Sequence, residues 1–199
     1  DAAATGDLDI TDDLTITGVA AATTVIEACA IMAPATTCTG IDRVFDIPAT
    51  GTVNISGVTI RHGNAATPLP ANGGGIRHTA GTLTLANCTI TNNMAADNGG
   101  AIFNNGGTLT ITGSVFSGNR SRSLSSLESK GGAIFNNGGT ITVTNSTLSG
   151  NSANGTDGVS RGFGTSGGGG GGGGGLGGGI FSEGTLQLER CLVISNRVA

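Results

Sequence analysis

Gly99-Gly100-Ala101-Ile102-Phe103-Asn104-Asn105-Gly106-Gly107-Thr108 recurs without change from Gly131 to Thr140. An internal repeat decides the fold before any other feature is weighed. Looser copies begin at Gly73 (Gly73-Gly74-Gly75-Ile76-Arg77-His78) and at Gly177 (Gly177-Gly178-Gly179-Ile180-Phe181). Each copy leads into a run of alternating polarity: Thr82-Leu83-Thr84-Leu85, Thr108-Leu109-Thr110-Ile111-Thr112, Thr140-Ile141-Thr142-Val143-Thr144 and Thr185-Leu186-Gln187-Leu188. A third segment then closes on Asn93, Asn119, Asn151 or Asn196. Two earlier runs, Asp13-Leu14-Thr15-Ile16-Thr17 and Thr52-Val53-Asn54-Ile55-Ser56, keep the middle strand without the glycines. The pattern predicts about six coils, each with up to three short strands.

Alternation sends Leu109 and Ile111 to one face and Thr108, Thr110 and Thr112 to the other. One coil cannot bury so few apolar residues by itself. Coils stacked at ~4.8 Å bury them as continuous columns and pair their backbones in parallel. The expected inward positions include Leu109, Ile111, Phe116, Ile141, Val143 and Leu148. Period 2, β-branched residues and Gly at the corners exclude helix. The predicted fold is therefore all-β, a right-handed single-stranded parallel β-helix forming one domain over residues 1–199. Residues 1–72 hold the divergent first coils and 73–199 the repeat coils. Composition agrees, since aromatic content is 3%, all of it Phe, and 38 residues are Gly; such a chain fills a thin core rather than a wide one. Successive repeats start 26, 32 and 46 residues apart. The excess is assigned to insertions at 120–130 and 152–176 on one edge of the solenoid. Glycine runs unbroken through 167–175, and this stretch is expected to pack on the solenoid flank or a neighbouring chain.

The pairing of Gly99-Gly100-Ala101-Ile102 with Phe116-Ser117-Gly118-Asn119 resembles the repeat of polymorphic outer-membrane proteins and of secreted bacterial β-helical surface proteins. Gly131-Gly132-Ala133-Ile134 matches the first half, and Leu148-Ser149-Gly150-Asn151 departs from the second only by Leu for Phe. The resemblance covers roughly residues 73–199. It implies a β-helix exposed outside the cell, commonly an adhesin or structural surface module, with no shared catalytic residues to carry over.

Polysaccharide-cleaving β-helices need clustered carboxylates on neighbouring rungs. The strands of the third to fifth coils carry none, and the absence of Trp and Tyr removes the usual platforms for sugar rings. Asp7, Asp9, Asp12 and Asp13 read as solvating an exposed end. Arg61-His62 and Arg77-His78 form the one notable polar constellation. Outward threonines, with Thr82, Thr108, Thr140 and Thr185 in one row, satisfy strand propensity and also match what an ice-binding face needs. Asn104 with Asn136, and Asn105 with Asn137, are expected to stack as amide ladders. Cys29 and Cys38 flank a short loop and are disulfide candidates. Cys88 and Cys191 share an inward position filled by Ser114 and Ser146 in the coils between. At ~4.8 Å per rung they lie beyond the ~7 Å reach of a disulfide, so both are expected as buried free thiols.

Nine basic residues and a net charge of −4 argue against nucleic acid, and no apolar run reaches the ~20 residues of a membrane span. The sequence opens at Asp1 without an export signal, which is expected to have been removed. No cofactor or metal is expected. Neither end shows a capping helix or charged capping loop, so the ends are expected to meet further coils or neighbouring copies. The expected function is a non-catalytic extracellular scaffold that self-associates head to tail into filaments. An adhesin with a host or matrix surface ligand is the first alternative. A polysaccharide-degrading enzyme or ice-binding surface is the second.

Overall fold

The computed structural model describes residues 6–30, 39–48, 50–66, 71–123, 128–155 and 175–199. These residues contain no helix and form a parallel β-helix of six coils. The first sheet stacks Leu8–Asp9, Phe45–Ile47, Ile76–His78, Ile102–Asn105, Ile134–Asn137 and Ile180–Ser182. The second stacks Leu14–Thr17, Thr52–Ser56, Thr82–Ala86, Thr108–Thr112, Thr140–Thr144 and Thr185–Glu189. The third stacks Val25–Glu27, Thr59–Arg61, Thr89–Thr91, Val115–Ser117, Thr147–Ser149 and Leu192–Ile194.

A fourth sheet, which the alternation does not announce, joins Asn64–Ala65, Met94–Ala95, Arg120–Arg122, Ser152–Asn154 and Arg197–Val198. Its strands are too short to alternate visibly, and its inward column is small: Ala65, Ala95, Ser121 and Ala153, all buried. Hydrophobic patterning has nothing to register there. Both insertions therefore begin later than 120 and 152, because their first residues are strand. They re-enter at Ser129–Lys130 and Gly175–Leu176, which pair in parallel with each other. Residues 124–127 and 156–174, with most of the glycine run, lie outside the described residues.

The core is built of columns. Leu14, Val53, Leu83, Leu109, Ile141 and Leu186 stand in one register, and Ile16, Ile55, Leu85, Ile111, Val143 and Leu188 in the next. Across from them run Ile26, Ile60, Ile90, Phe116, Leu148 and Val193. Members in the middle coils are fully buried, and each such side chain stabilises the fold by about 1.5–3 kcal/mol. In the sixth coil Leu186, Leu188 and Val193 are only partly buried, since no further coil covers them among the described residues.

In the third to sixth coils a glycine pair closes the coil. Gly99 has φ +65°, in the left-handed region that glycine enters without strain. Gly100 has an ordinary φ, but a Cβ there would collide with the carbonyl oxygen of Gly132 and with the backbone of Arg120. Arg120 follows the closing Asn119 in the same coil. The two halves of the repeat motif thus meet where the coil begins and ends. The third motif residue is small for the same reason: a Cβ on Gly75 would lie 3.2 Å from the Asn93 side chain.

Before the second coil, Cys29–Ala30 and Thr39–Gly40 form a short antiparallel pair. Cys29 is disulfide-bonded; Cys38, its expected partner, lies outside the described residues.

Phe116 occupies the centre of its column with no exposure. Phe116→Ala is expected to lower stability by about 3–5 kcal/mol in urea unfolding. Thr110→Ala, on the outer face, should change it by less than ~1 kcal/mol.

Candidate functional site

The most developed polar construction is internal. Asn93, Asn119, Asn151 and Asn196, the closing residues of four consecutive coils, point inward and are 1%, 0%, 0% and 9% exposed. The Oδ1 of Asn119, of Asn151 and of Asn196 accepts both the backbone N–H and the side-chain N–H of its counterpart one rung earlier. Asn93 donates these to Asn119 at 3.1 and 3.0 Å, Asn119 to Asn151 at 3.0 and 2.9 Å, and Asn151 to Asn196 at 3.0 and 2.8 Å. The second amide proton goes to a carbonyl of the third sheet: Ile60, Ile90, Phe116 and Leu148 in turn. Gly63 N–H caps the ladder by donating to Asn93 Oδ1 at 2.9 Å. Recurrence of Asn at the end of each third segment is the signal that could have revealed this ladder.

A second internal column runs His78, Asn104, Asn136 and Ser182. Asn104 donates to Asn136 Oδ1 (2.8 Å) and to Gly107 O (3.0 Å), and Asn136 donates to Ser182 Oγ (3.0 Å) and Gly139 O (2.9 Å). His78 Nδ1 lies 2.7 Å from Asn104 Oδ1, while its buried Nε2 has no hydrogen-bond partner. Burial lowers the His78 pKa, against the opposing effects of Asn104 and the Ala80 backbone. Asn105 and Asn137, by contrast, are exposed and joined by one 2.8 Å bond.

Cys88 and Ser114 continue the same logic at the next corner. Cys88 N–H donates to Ser114 Oγ at 3.1 Å, and Ser114 N–H to Ser146 Oγ at 3.0 Å. Cys88 is a buried free thiol whose pKa is pushed up by burial. Cys191 is also free but only partly buried. It departs from the buried thiol expected of it because, among the described residues, the sixth coil is covered on one side alone.

On the outside, Thr52, Thr82, Thr108, Thr140 and Thr185 stand in one register. The neighbouring row is broken by Asn54 and Gln187. Phe103, Phe135 and Phe181 stack along the first sheet with centroids 5.5 and 5.8 Å apart. Lys130 lies over Phe135 and Phe181 and pairs with Glu183 at 2.6 Å. An open cleft of about 330 Å³, lined by Asn98, Glu128, Lys130 and Phe135, sits beside the re-entry strands.

The two Arg-His pairs do not converge. Arg61 and His62 leave the third sheet and hold Glu27 at 2.7 and 3.0 Å, and the Arg61 hydrogen bond keeps Glu27 below the usual carboxylate range. Arg77 points outward from the first sheet to grip Asp46 with two nitrogens, while His78 turns into the core. The first-coil acids do not all solvate an end either. Asp7 is buried and accepts a 3.2 Å bond from Arg43, which also lies 3.8 Å from Asp46. Burial, reinforced by Asp42 and Asp9, raises the Asp7 pKa against the lowering effect of Arg43. Arg43 follows Asp7 by 36 residues, so only the completed second coil brings them together. Among the described residues, Asp7, Asp9 and Asp46 offer carboxylate oxygens within 4.8 Å of one another.

The family comparison falls on the closing motif. Residues 87–105 and 113–137 each match the Chlamydia polymorphic membrane protein repeat. Each matched span runs from a third-sheet corner, through a ladder asparagine and the glycine pair, to the end of a first-sheet strand. The chain thus carries repeats of the kind built into bacterial surface proteins. No curated protein and no solved structure matches it.

Asn119→Ala would strand the Asn93 N–H groups and the Ile90 carbonyl. It is expected to cost roughly 3–5 kcal/mol in urea unfolding, since each orphaned buried group costs about 1–3 kcal/mol. Asn105→Ala at the surface should cost under ~0.5 kcal/mol. His78 gives a pH dependence of known sign. The unfolded imidazole titrates near 6.5 and the folded one below that, so the unfolded state binds the extra proton first. Stability is full above pH 6.5 and falls as pH drops through it. Urea midpoints between neutral pH and pH 5 should decline less in His78→Asn than in the parent chain.

Proposed function

We propose that this chain is a non-catalytic extracellular scaffold, a stretch of surface β-solenoid that stacks coil on coil, head to tail, into longer fibres. The observation that carries the reading is the state of the two end coils. In the sixth, the inward-facing Leu186, Leu188 and Val193 are only partly buried; in the first, Leu14 is 39% exposed and Ile16 and Ile26 are only partly buried. Their column mates Leu109, Ile141 and Leu148 are completely buried. Among the described residues, the end strands are paired on one side only. An apolar cross-section framed by open parallel edges fits another β-helical coil, whether from further along a chain or from a second copy. Contact between unlike ends does not close on itself and so propagates. The surface-protein repeats support an extracellular setting, and the buried asparagines of the third to sixth coils serve internal ladders.

The adhesive alternative draws on the cleft at Lys130 and Phe135, beside the re-entry strand Ser129–Lys130. Sedimentation velocity and negative-stain electron microscopy separate the readings. The scaffold predicts concentration-dependent end-to-end oligomers, reduced to monomers by Leu186→Lys on the sixth-coil cross-section with the circular dichroism spectrum unchanged. A parent chain that stays monomeric at high micromolar concentration would overturn it in favour of a ligand-binding module.

A further inference from the structure

We propose that the junction of the first two coils binds a hard divalent cation of the calcium type between Asp7, Asp9 and Asp46. Parallel register sets Asp9 directly beside Asp46 on the first sheet, and Asp7 enters from the preceding turn, so that one oxygen of each lies within 4.8 Å of the others. Like charges stacked on neighbouring strands repel. The arginines compensate only in part. Arg43 serves Asp7 Oδ2 and lies near Asp46, and Arg77 occupies both Asp46 oxygens. With Asp42 close enough to act on Asp7, four carboxylates face two guanidinium groups among the described residues, an excess of two negative charges there.

A second observation points to a ligand. Asp7 is 5% exposed, yet its Oδ1 is buried with no hydrogen-bond partner. A buried carboxylate oxygen without a donor is strongly unfavourable, and a cation satisfies the orphan oxygen and the charge excess together. The donors are all oxygens, with no His or Cys, which selects a hard ion. Calcium tolerates an irregular shell completed by water, whereas magnesium demands near-octahedral geometry at short range. Because Asp7 and Asp9 come from the first coil and Asp46 from the second, the ion would pin the first coil to the solenoid.

Calorimetric titration of the chelator-treated chain with calcium chloride tests this directly. A single saturable site is expected, weaker for magnesium. Asp9→Asn, at the strand end, should weaken it roughly tenfold or more, and Asp12→Asn, outside the cluster, should leave it unchanged. Calcium should also raise the melting temperature of the parent and of Asp12→Asn but not of Asp9→Asn. Absence of saturable binding, or binding that survives both Asp9→Asn and Asp7→Asn, would overturn the proposal and leave water as the partner of Asp7 Oδ1.

Discussion

Parallel pairing at one rung per coil places every residue beside its counterpart in the next coil, about 4.8 Å away. This spacing governs the rest of the structure, because at each position the solenoid must hold side chains that tolerate their own kind as neighbours. Aliphatic side chains do so by dispersion, giving the columns through Leu109 and Phe116. Amides do so by donating along the axis, giving the ladders through Asn119 and Asn104. Hydroxyls manage it at Thr112 and Thr144, 3.1 Å apart, and rings at Phe103 and Phe135. Carboxylates do not, and where Asp9 meets Asp46 the structure brings in arginines.

The same constraint explains why the repeat motif has two halves. A coil must return to its starting azimuth one rung higher, so its last residues pass against its first. Gly100 lies against the backbone of Arg120, and the small third residue of the motif lies against the ladder asparagine. The amide holds the corner from inside while the glycines let the backbone pass outside. Neither half works alone, which accounts for their joint recurrence within both spans that match the surface-protein repeat.

How much could be read in advance varied with the length of the pattern. Five-residue strands such as Thr108–Thr112 alternate long enough to reveal their inward face, and the second and third sheets follow from that. The fourth sheet was illegible because Ala95 and Ser121 fill its inner side without a hydrophobic signal. The ladder at Asn93, Asn119, Asn151 and Asn196 was visible as recurrence but not as burial, since a polar residue at a corner ordinarily faces water. Cys191 shares its column with Cys88, yet position in a column does not set exposure at an end coil. The separation of Arg61-His62 from Arg77-His78, and the pairing of Arg43 with Asp7, depend on which sheet each residue joins. Adjacency in the chain carries no such information.

The paired re-entry strands, Ser129–Lys130 and Gly175–Leu176, have a consequence for how such a protein can change. They clamp the base of each excursion, so the circumference of the coil is independent of whatever is spliced between Arg122 and Ser129 or between Asn154 and Gly175. Register, columns and ladders pass the splice undisturbed although the repeat interval stretches from 26 to 46 residues. The solenoid is thus a chassis with one permissive seam. Chain length can change along that seam, rung after rung, while the wall beside it must still satisfy the self-compatibility of its columns and ladders.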